Sequence, residues 1–439
     1  MKKLFTAAGL LAVSTFTFSE DIELYISESV KQAQQRPQVL IVFDNSGSMG
    51  TNETVKASYD PNTDYGGTNS HVFFSKGQVD ISEIPDPFNA GENRKFPVDI
   101  SNCKVAQDII EKYGFYTGHI REYKFQGNSG RWLELQDNDG TNVVITDCED
   151  DVIALDSTNK NYLDGGTAKA IANGFPINGK GDAASPVFYT ANATDSNVEW
   201  TGPLVTLYSE NYLRWYHRTD IPNVSKDRID IAQESVTNLI NSSPNVDFGL
   251  QVFNREHGGR VVFGITESNL VSRENLLDII NNNLNAENWT PLCETLYEAS
   301  RYFAGKGVDY GDYHSSPTPP RDTSIEDGSK VYKSPFSSCS DKAYVILITD
   351  GEPTRDKGAN TKIENMPETG QDPMGAKFDG NYLAALAGWM NNNDLNTSLD
   401  GKKFMRVPVL FVFPLAFKGD NAFPSLNSTE YSFLSLNIF

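Results

Sequence analysis

Three short polar loops in this sequence carry side chains that could together bind a hard metal ion. Asp44, Ser46 and Ser48 alternate within one loop, Thr290 lies in a second, and Asp350 lies in a third. Two carboxylates and three hydroxyls form an all-oxygen set, which suits Mg²⁺, Mn²⁺ or Ca²⁺. Because two carboxylates only just balance a divalent ion, a carboxylate from another molecule could complete the coordination. The set therefore predicts a cation-dependent binding site rather than a catalyst.

Each loop also has a simpler structural explanation. Serine-rich turns after strands are common, Thr290 could be a helix N-cap before Pro291, and Asp350-Gly351 could be an ordinary strand-end turn. The joint occurrence of the three motifs, each beside an apolar run or a helix start, favours a shared site. A metal-dependent hydrolase using Asp44 or Asp350 is disfavoured, because no well-placed histidine could act as a general base.

Two unbroken apolar segments precede the aspartates. Residues 39–43 (VLIVF) lead into Asp44, and residues 344–349 (YVILIT) lead into Asp350. Short β-branched runs bounded by turn residues are typical of parallel strands buried on both faces. Ligands of such sheets bind beyond the carboxyl ends of the strands. Periodicity further predicts helices at 225–241, 274–284, 289–303 and 382–390, and strands at 246–253, 260–264 and 407–413. The short link between 246–253 and 260–264 predicts an antiparallel edge hairpin.

The fold class expected from this pattern is α/β, with a doubly wound, mostly parallel sheet built from residues 37–49 and 206–417. Residues 50–205 interrupt it. They are rich in Gly, Asn, Asp and Pro, with brief apolar segments at 105–110, 132–135 and 143–145. We expect a large, loop-rich, β-containing insertion after the first strand. Residues 418–439 are weakly patterned and are expected to form an irregular tail.

The net charge and the N-terminal segment indicate which partners and which cellular location the protein has. The 439 residues carry a formal net charge of −21, which opposes binding to nucleic acid. Residues 1–19 combine two lysines, a short apolar core and small residues, as in a secretory signal peptide. This predicts export through the inner membrane, and no later run reaches transmembrane length.

Four cysteines in an exported protein favour two disulfides. No CxxC pair is present and only five histidines occur, so a zinc site is poorly supported. Pairing between sequence neighbours would join Cys103 to Cys148 and Cys293 to Cys339. Three connectivities are open, and the sequence does not choose among them.

The three loops resemble those of a von Willebrand factor type A domain with a metal-ion-dependent adhesion site. Their sequences are Asp44-Asn45-Ser46-Gly47-Ser48-Met49, Thr290-Pro291-Leu292 and Ile348-Thr349-Asp350-Gly351-Glu352-Pro353. The resemblance implies a doubly wound sheet with helices on both faces and one divalent cation, Mg²⁺ first, with Mn²⁺ or Ca²⁺ as alternatives. It also implies direct coordination by Ser46, Ser48 and Thr290. Asp44 and Asp350 would act partly through water.

A narrower resemblance extends over roughly residues 37–405. Five segments are similar to the N-terminal half of the PilY family of type IV pilus tip-associated adhesins and biogenesis factors. They are Tyr59-Asp60-Pro61 and residues 211–213, 228–254, 290–296 and 381–387. The long insertion after the first metal loop is similar too. This implies a place between the periplasm and the pilus tip, with minor pilins and a carboxylate-bearing host or surface ligand as partners.

The same family usually continues into a C-terminal β-propeller with a calcium-binding loop. The sequence ends before a propeller could begin, and residues 407–414 lack the Gly-Phe-Gly-like strand end of the family. We therefore expect a truncated or frame-shifted form or a fragment, to which control of pilus retraction does not carry over.

Overall fold

The computed structural model describes residues 36–77, 84–126, 129–143, 145–150, 202–287, 289–313, 317–336, 342–351, 353–366, 380–396 and 406–412. The predicted signal peptide (1–19), the tail (418–439) and Cys339 lie outside the described residues.

Fourteen strands and seven α-helices are formed by these described residues. In chain order the strands are β1 (Gln38–Phe43), β2 (Asn52–Lys56), β3 (His71–Lys76), β4 (Lys95–Pro97), β5 (Phe115–Gly118), β6 (Ile120–Gln126), β7 (Ser129–Glu134), β8 (Ile145–Cys148), β9 (Val205–Ser209), β10 (Asn223–Asp227), β11 (Asp247–Phe253), β12 (Gly259–Phe263), β13 (Ala343–Ile348) and β14 (Val409–Val412). The helices are α1 (Lys104–Tyr113), α2 (Glu210–His217), α3 (Arg228–Ser242), α4 (Leu270–Asn282), α5 (Leu292–Phe303), α6 (Asn360–Glu364) and α7 (Leu383–Asn392).

A five-stranded sheet in the order β12-β11-β1-β13-β14 forms the centre of the α/β part. Strand β1 pairs in parallel with both β11 and β13, and β14 extends the parallel set beside β13. Only β12 within this sheet is antiparallel, and it lies at the edge as a hairpin with β11. Phe43 is in register with Ile348, so the two predicted strands end side by side. The predicted parallel strands and edge hairpin are thereby confirmed.

Alternation along β1 explains why helices lie against both faces of this sheet. Leu40 and Val42 join a core cluster that includes residues of α5, α6 and α7. Val39, Ile41 and Phe43 join a second cluster with residues of α3 and α4. Because both faces of the strand are covered, every residue from 39 to 43 is buried and apolar, and polar residues do not alternate with apolar ones.

The helices predicted from periodicity are present, with revised starts. Helix α4 begins at Leu270 rather than at residue 274, and α5 begins at Leu292 rather than at residue 289. Helix α3 begins at Arg228 and not at residue 225, because residues 223–227 form β10 and pair antiparallel with β2. This two-stranded β2/β10 ribbon connects the parallel sheet to the inserted region. Its last pair joins Asn52 and Asp227, immediately before α3.

The inserted region contains two further antiparallel sheets, which confirms the expected β content. One has the order β4-β3-β9-β5 and the other β7-β6-β8. Strand β9 pairs with both β3 and β5, so this sheet extends beyond residue 205. The apolar segment at 105–110 is helical and belongs to α1, whose Val105, Ile109 and Ile110 pack against the cluster between the sheets.

One of the two predicted disulfides is confirmed. Cys103 and Cys148 are bonded and join the start of α1 to β8 inside the inserted region. The second is not observed. Cys293 is a free thiol that is fully buried in the core on α5, while Cys339 lies outside the described residues. Within the described ranges, no helix has the length and apolar character needed to cross a membrane.

Candidate metal centre

The first loop turns sharply at the end of β1, and hydrogen bonds to the neighbouring strand and within the loop fix its position. The backbone N–H of Asp44 donates to the Ile348 carbonyl at 2.9 Å, which extends the β1–β13 pairing by one bond. The Ser46 N–H then donates to Oδ1 of Asp44 at 2.7 Å. Residues Gly47–Gly50 form a 3₁₀ turn whose Met49 is buried in the core. This turn presents Ser46 and Ser48 on the same side.

Asp44 lies deepest in the site and has its carboxylate satisfied by protein donors. The Thr349 hydroxyl donates to its Oδ2 at 2.6 Å, and the Ser46 N–H donates to its Oδ1. Burial raises the pKa of Asp44 from 3.8 to about 6, although the hydrogen bonds from Ser46 and Thr349 oppose the rise. A carboxylate with a raised pKa is one whose charge lacks compensation, and a bound cation would supply it.

A line of oxygens runs outward from the first loop to the third. The Ser46 and Ser48 hydroxyl oxygens lie 3.0 Å apart, and the Ser48 hydroxyl donates to Oδ1 of Asp350 at 2.7 Å. Octahedral Mg²⁺ holds its ligands at about 2.0–2.1 Å, which places neighbouring oxygens about 2.9 Å apart. The two separations are those of ordinary hydrogen bonds, and they are also close to the spacing of adjacent ligands around a magnesium ion.

The second loop is joined to both of the others by backbone contacts. Asn45 accepts from the Glu287 N–H at 2.7 Å through its carbonyl, and from the Phe253 N–H at 2.8 Å through its side chain. Thr290 exchanges hydrogen bonds with Thr354: its N–H donates to the Thr354 hydroxyl at 2.9 Å, and its carbonyl accepts at 3.1 Å. The three predicted loops therefore meet at one edge of the sheet.

Thr290 is not the N-cap of α5, since Pro291 holds that position and makes no side-chain capping bond. Its hydroxyl makes no hydrogen bond to any residue that the structure describes. Two N–H groups in the first turn of α5 donate instead to Asp356, whose two carboxylate oxygens accept from Cys293 at 2.9 Å and Glu294 at 3.1 Å. The loop after Asp350 thus replaces the missing cap and fixes the segment that carries Thr290.

Arg228 is a charged neighbour of the site that sequence patterns did not identify. Its NH1 group lies 2.9 Å from Oδ2 of Asp350, and its NH2 group lies 2.7 Å from Glu53. The Asp350 side chain is fully buried and that of Arg228 is 17 % exposed, so the pair is largely removed from solvent. Nothing in the sequence neighbourhood of Arg228 pointed to Asp350, which lies 122 positions away.

The donor set fits a hard cation that is held mainly by hydroxyls. Among the described residues, no group of three or more His, Cys, Asp or Glu side chains is arranged to hold a metal ion. The predicted set contains only two such residues, Asp44 and Asp350, and takes its remaining oxygens from Ser46, Ser48 and Thr290. Ser48 is exposed whereas the other four are buried, so the approach to the site lies on the Ser48 side.

Comparison with known proteins finds one family that is similar to part of the chain. A family described as a domain of unknown function (DUF8355) matches residues 71–218. The match begins at the first residue of β3 and ends just after α2, between the two strands of the β2/β10 ribbon. Neither the curated proteins nor the solved structures contain a match to the chain.

Proposed function

We propose that this chain is an exported, metal-dependent adhesion domain of a type IV pilus tip-associated protein of the PilY kind. Its α/β part would be a doubly wound domain of the von Willebrand factor A type, and residues 71–218 an inserted domain carried on the β2/β10 ribbon. It would act in surface attachment and pilus assembly, with minor pilins as partners. The resemblance of the three metal-site loops motivates the proposal.

The observation that carries the proposal is the contact between loops that are far apart in sequence. Ser48 bonds to Asp350, and Thr290 is tied to Thr354 in the loop that follows. Neighbouring parallel strands end at one sheet edge in any case, and these loops add direct contacts between their polar groups there. Four parallel strands with helices against both faces are consistent with the domain type.

The arrangement suits binding rather than turnover. A divalent cation held by Ser46, Ser48 and Thr290 would offer a coordination position to a carboxylate of a ligand. Asp44 and Asp350 balance the charge of the cation from the buried side, and Ser48 marks the side open to a partner. The confirmed Cys103–Cys148 disulfide agrees with the proposed location from the periplasm to the pilus tip.

A structural role in priming pilus assembly is the second candidate. It is favoured by the hydrogen bonds that already join the loops, notably Thr349 to Asp44, because a cation there would mainly reinforce existing contacts. In that case metal would raise thermal stability without altering the affinity for partners.

The test replaces Asp44 with alanine and removes one exposed carboxylate elsewhere, Asp99→Ala, as the control. Mn²⁺ binding is measured by calorimetry, and attachment by the retention of protein-coated beads on cultured epithelial cells and on immobilised minor pilins of the source organism. We expect Asp44→Ala to lose Mn²⁺ binding and cation-dependent retention while its circular dichroism stays native, and Asp99→Ala to match wild type.

Two outcomes separate the candidates. Retention that survives both Asp44→Ala and EDTA would rule out the adhesion role. If Mn²⁺ raises the melting temperature of the wild type but leaves retention unchanged, the structural priming role is the correct one.

A further inference from the structure

The ion pair between Arg228 and Asp350 lies where a bound cation would act. Asp350 directs Oδ1 to the Ser48 hydroxyl and Oδ2 to the Arg228 guanidinium, so both of its oxygens are engaged. A buried carboxylate is strongly destabilising when it lacks a partner. Arg228 therefore supplies, from within the chain, a positive charge of the kind that a metal ion would bring.

Glu53 fixes the position of this guanidinium. Its Oε1 accepts from both Nε and NH2 of Arg228, at 2.9 and 2.7 Å, so one charged carboxylate oxygen holds two guanidinium donors. The backbone adds a further tie, because the Arg228 N–H donates to the Thr51 carbonyl at 3.0 Å. Arg228 is thus held between the ribbon and the site rather than extended into solvent.

We propose, on the basis of the proposed function, that Arg228 is a positioning residue and internal counter-cation: it neutralises Asp350 in the metal-free protein and yields part of that interaction when a divalent cation binds. Asp350 has a single negative charge, so the guanidinium and the cation compete for it. Arg228 consequently lowers the affinity for metal while it stabilises the metal-free fold.

The same contact links the metal site to the inserted domain. Glu53 lies on β2, which leaves the first metal loop, and Arg228 follows β10, which returns from the inserted domain. The two strands are paired from Asn52–Asp227 to Lys56–Asn223. Any weakening of the Arg228–Asp350 pair therefore acts at the base of the ribbon that carries residues 71–218.

The experiment compares Arg228→Gln with Lys226→Gln, two variants that each remove one positive charge from adjoining parts of the ribbon. Lys226 pairs with Glu234 and donates to Ser58, so it reports the effect of removing one positive charge and its contacts outside the metal site. Mn²⁺ affinity is measured by calorimetry, and melting temperature is measured in EDTA and in saturating Mn²⁺. Arg228→Lys serves as a second variant if the glutamine variant does not fold, since it keeps the charge but not the paired Nε and NH2 donors to Glu53.

We expect Arg228→Gln to bind Mn²⁺ about tenfold more tightly than wild type and Lys226→Gln to change affinity by less than about twofold, given the steep dependence of charge interactions on distance. Arg228→Gln should melt lower than wild type in EDTA, with the gap closing in Mn²⁺. Arg228→Lys should lie between the two. Equal Mn²⁺ affinities of the Arg228 and Lys226 variants would overturn the inference alone, leaving the adhesion site intact. Absence of Mn²⁺ binding by the wild type would overturn the proposed function, and the inference with it.

Discussion

Ser48 and Asp350 are joined by a 2.7 Å hydrogen bond at the carboxyl edge of the parallel sheet, although 302 positions separate them in the chain. Ser48 is exposed and Asp350 is buried. The bond therefore connects the outer surface of the candidate metal centre to its interior, and it exists because β1 and β13 end side by side. Each strand delivers its loop to the same point.

Replacing Ser48 with alanine should weaken metal binding and leave the fold intact. The substitution deletes one oxygen of the line that runs from Ser46 to Asp350, and we expect Mn²⁺ affinity to fall by about tenfold or more. The free energy of unfolding in EDTA should fall by about 1–3 kcal/mol, because a buried oxygen of Asp350 loses its donor. Calorimetry and urea denaturation measure the two quantities. Ser225→Ala, an exposed serine on the ribbon, is the control. Unchanged Mn²⁺ affinity in Ser48→Ala would exclude its hydroxyl from the site.

The raised pKa of Asp44 predicts that this carboxylate destabilises the metal-free protein near neutral pH. Burial raises its pKa from 3.8 to about 6. Between these values the folded protein keeps a proton on Asp44 that the unfolded chain has lost. The contribution of Asp44 to the free energy of unfolding is therefore most favourable below pH 3.8, and it is lost as pH rises through about 6. In EDTA at pH 7, Asp44→Asn should therefore unfold at a higher urea concentration than wild type. Its free energy of unfolding should be larger by up to about 3 kcal/mol.

The comparison across pH supplies the control for this prediction. The advantage of Asp44→Asn should shrink towards pH 4, where Asp44 is protonated in the folded wild type and increasingly protonated in the unfolded chain. In saturating Mn²⁺ at pH 7 the order should reverse, because only the carboxylate gains from the cation. An Asp44→Asn variant that is less stable than wild type at pH 7 in EDTA would contradict this account of the Asp44 environment.

Local pattern was sufficient for the elements that position the site. The unbroken apolar run at 39–43 predicted a strand buried on both faces, and its alternate residues do enter two different core clusters. The edge hairpin of β11 and β12 followed from two short runs with a short link. These features depend on neighbours in sequence, which is why the sequence could predict them.

Features that depend on distant pairing were not predictable in the same way. Strand β9 pairs with β3, more than a hundred positions earlier, and no local signal in 205–209 specifies that partner. Asp356 caps α5 from another loop, and Arg228 reaches Asp350 through the fold. A family model matches residues 71–218, whereas composition alone indicated a loop-rich insertion at 50–205.

Asp356 should prove important for stability as well as for the metal site. Asp356→Ala leaves the N–H groups of Cys293 and Glu294 without their acceptor at the start of α5. We expect a loss of about 1–2 kcal/mol in the free energy of unfolding, as for other lost helix caps. Mn²⁺ affinity should fall too, because the segment carrying Thr290 is released. Urea denaturation and calorimetry measure the two effects, with Asp356→Asn, which keeps one acceptor oxygen, expected to be intermediate. An alanine variant as stable as wild type would mean that water replaces this cap without loss.

The Cys103–Cys148 disulfide should stabilise the inserted domain independently of the metal centre. The bond closes a loop with a sequence separation of 45, and both sulfurs are buried in the cluster between α1 and the sheets. Replacing both cysteines with serine should lower the stability of this domain by about 4 kcal/mol at most. Limited proteolysis should then cleave within 71–218 while Mn²⁺ affinity stays at the wild-type value. A parallel loss of Mn²⁺ affinity would show instead that the two parts unfold together.

Trp289 is the residue we expect to contact a ligand beside the metal. It precedes Thr290, is 39 % exposed, and lies under the Arg355 guanidinium at 4.3 Å from its ring centroid. Exposed tryptophan paired with arginine is typical of the residues that contribute most to protein interfaces. Trp289→Ala should reduce the cation-dependent retention of protein-coated beads several-fold while Mn²⁺ affinity is unchanged, because the ring itself offers no oxygen to the metal. The matched control is Phe88→Ala, which removes an exposed ring that faces Arg214 in the inserted domain and should leave retention unaltered. Equal retention by the Trp289 variant and wild type would place the ligand contact elsewhere around Ser48.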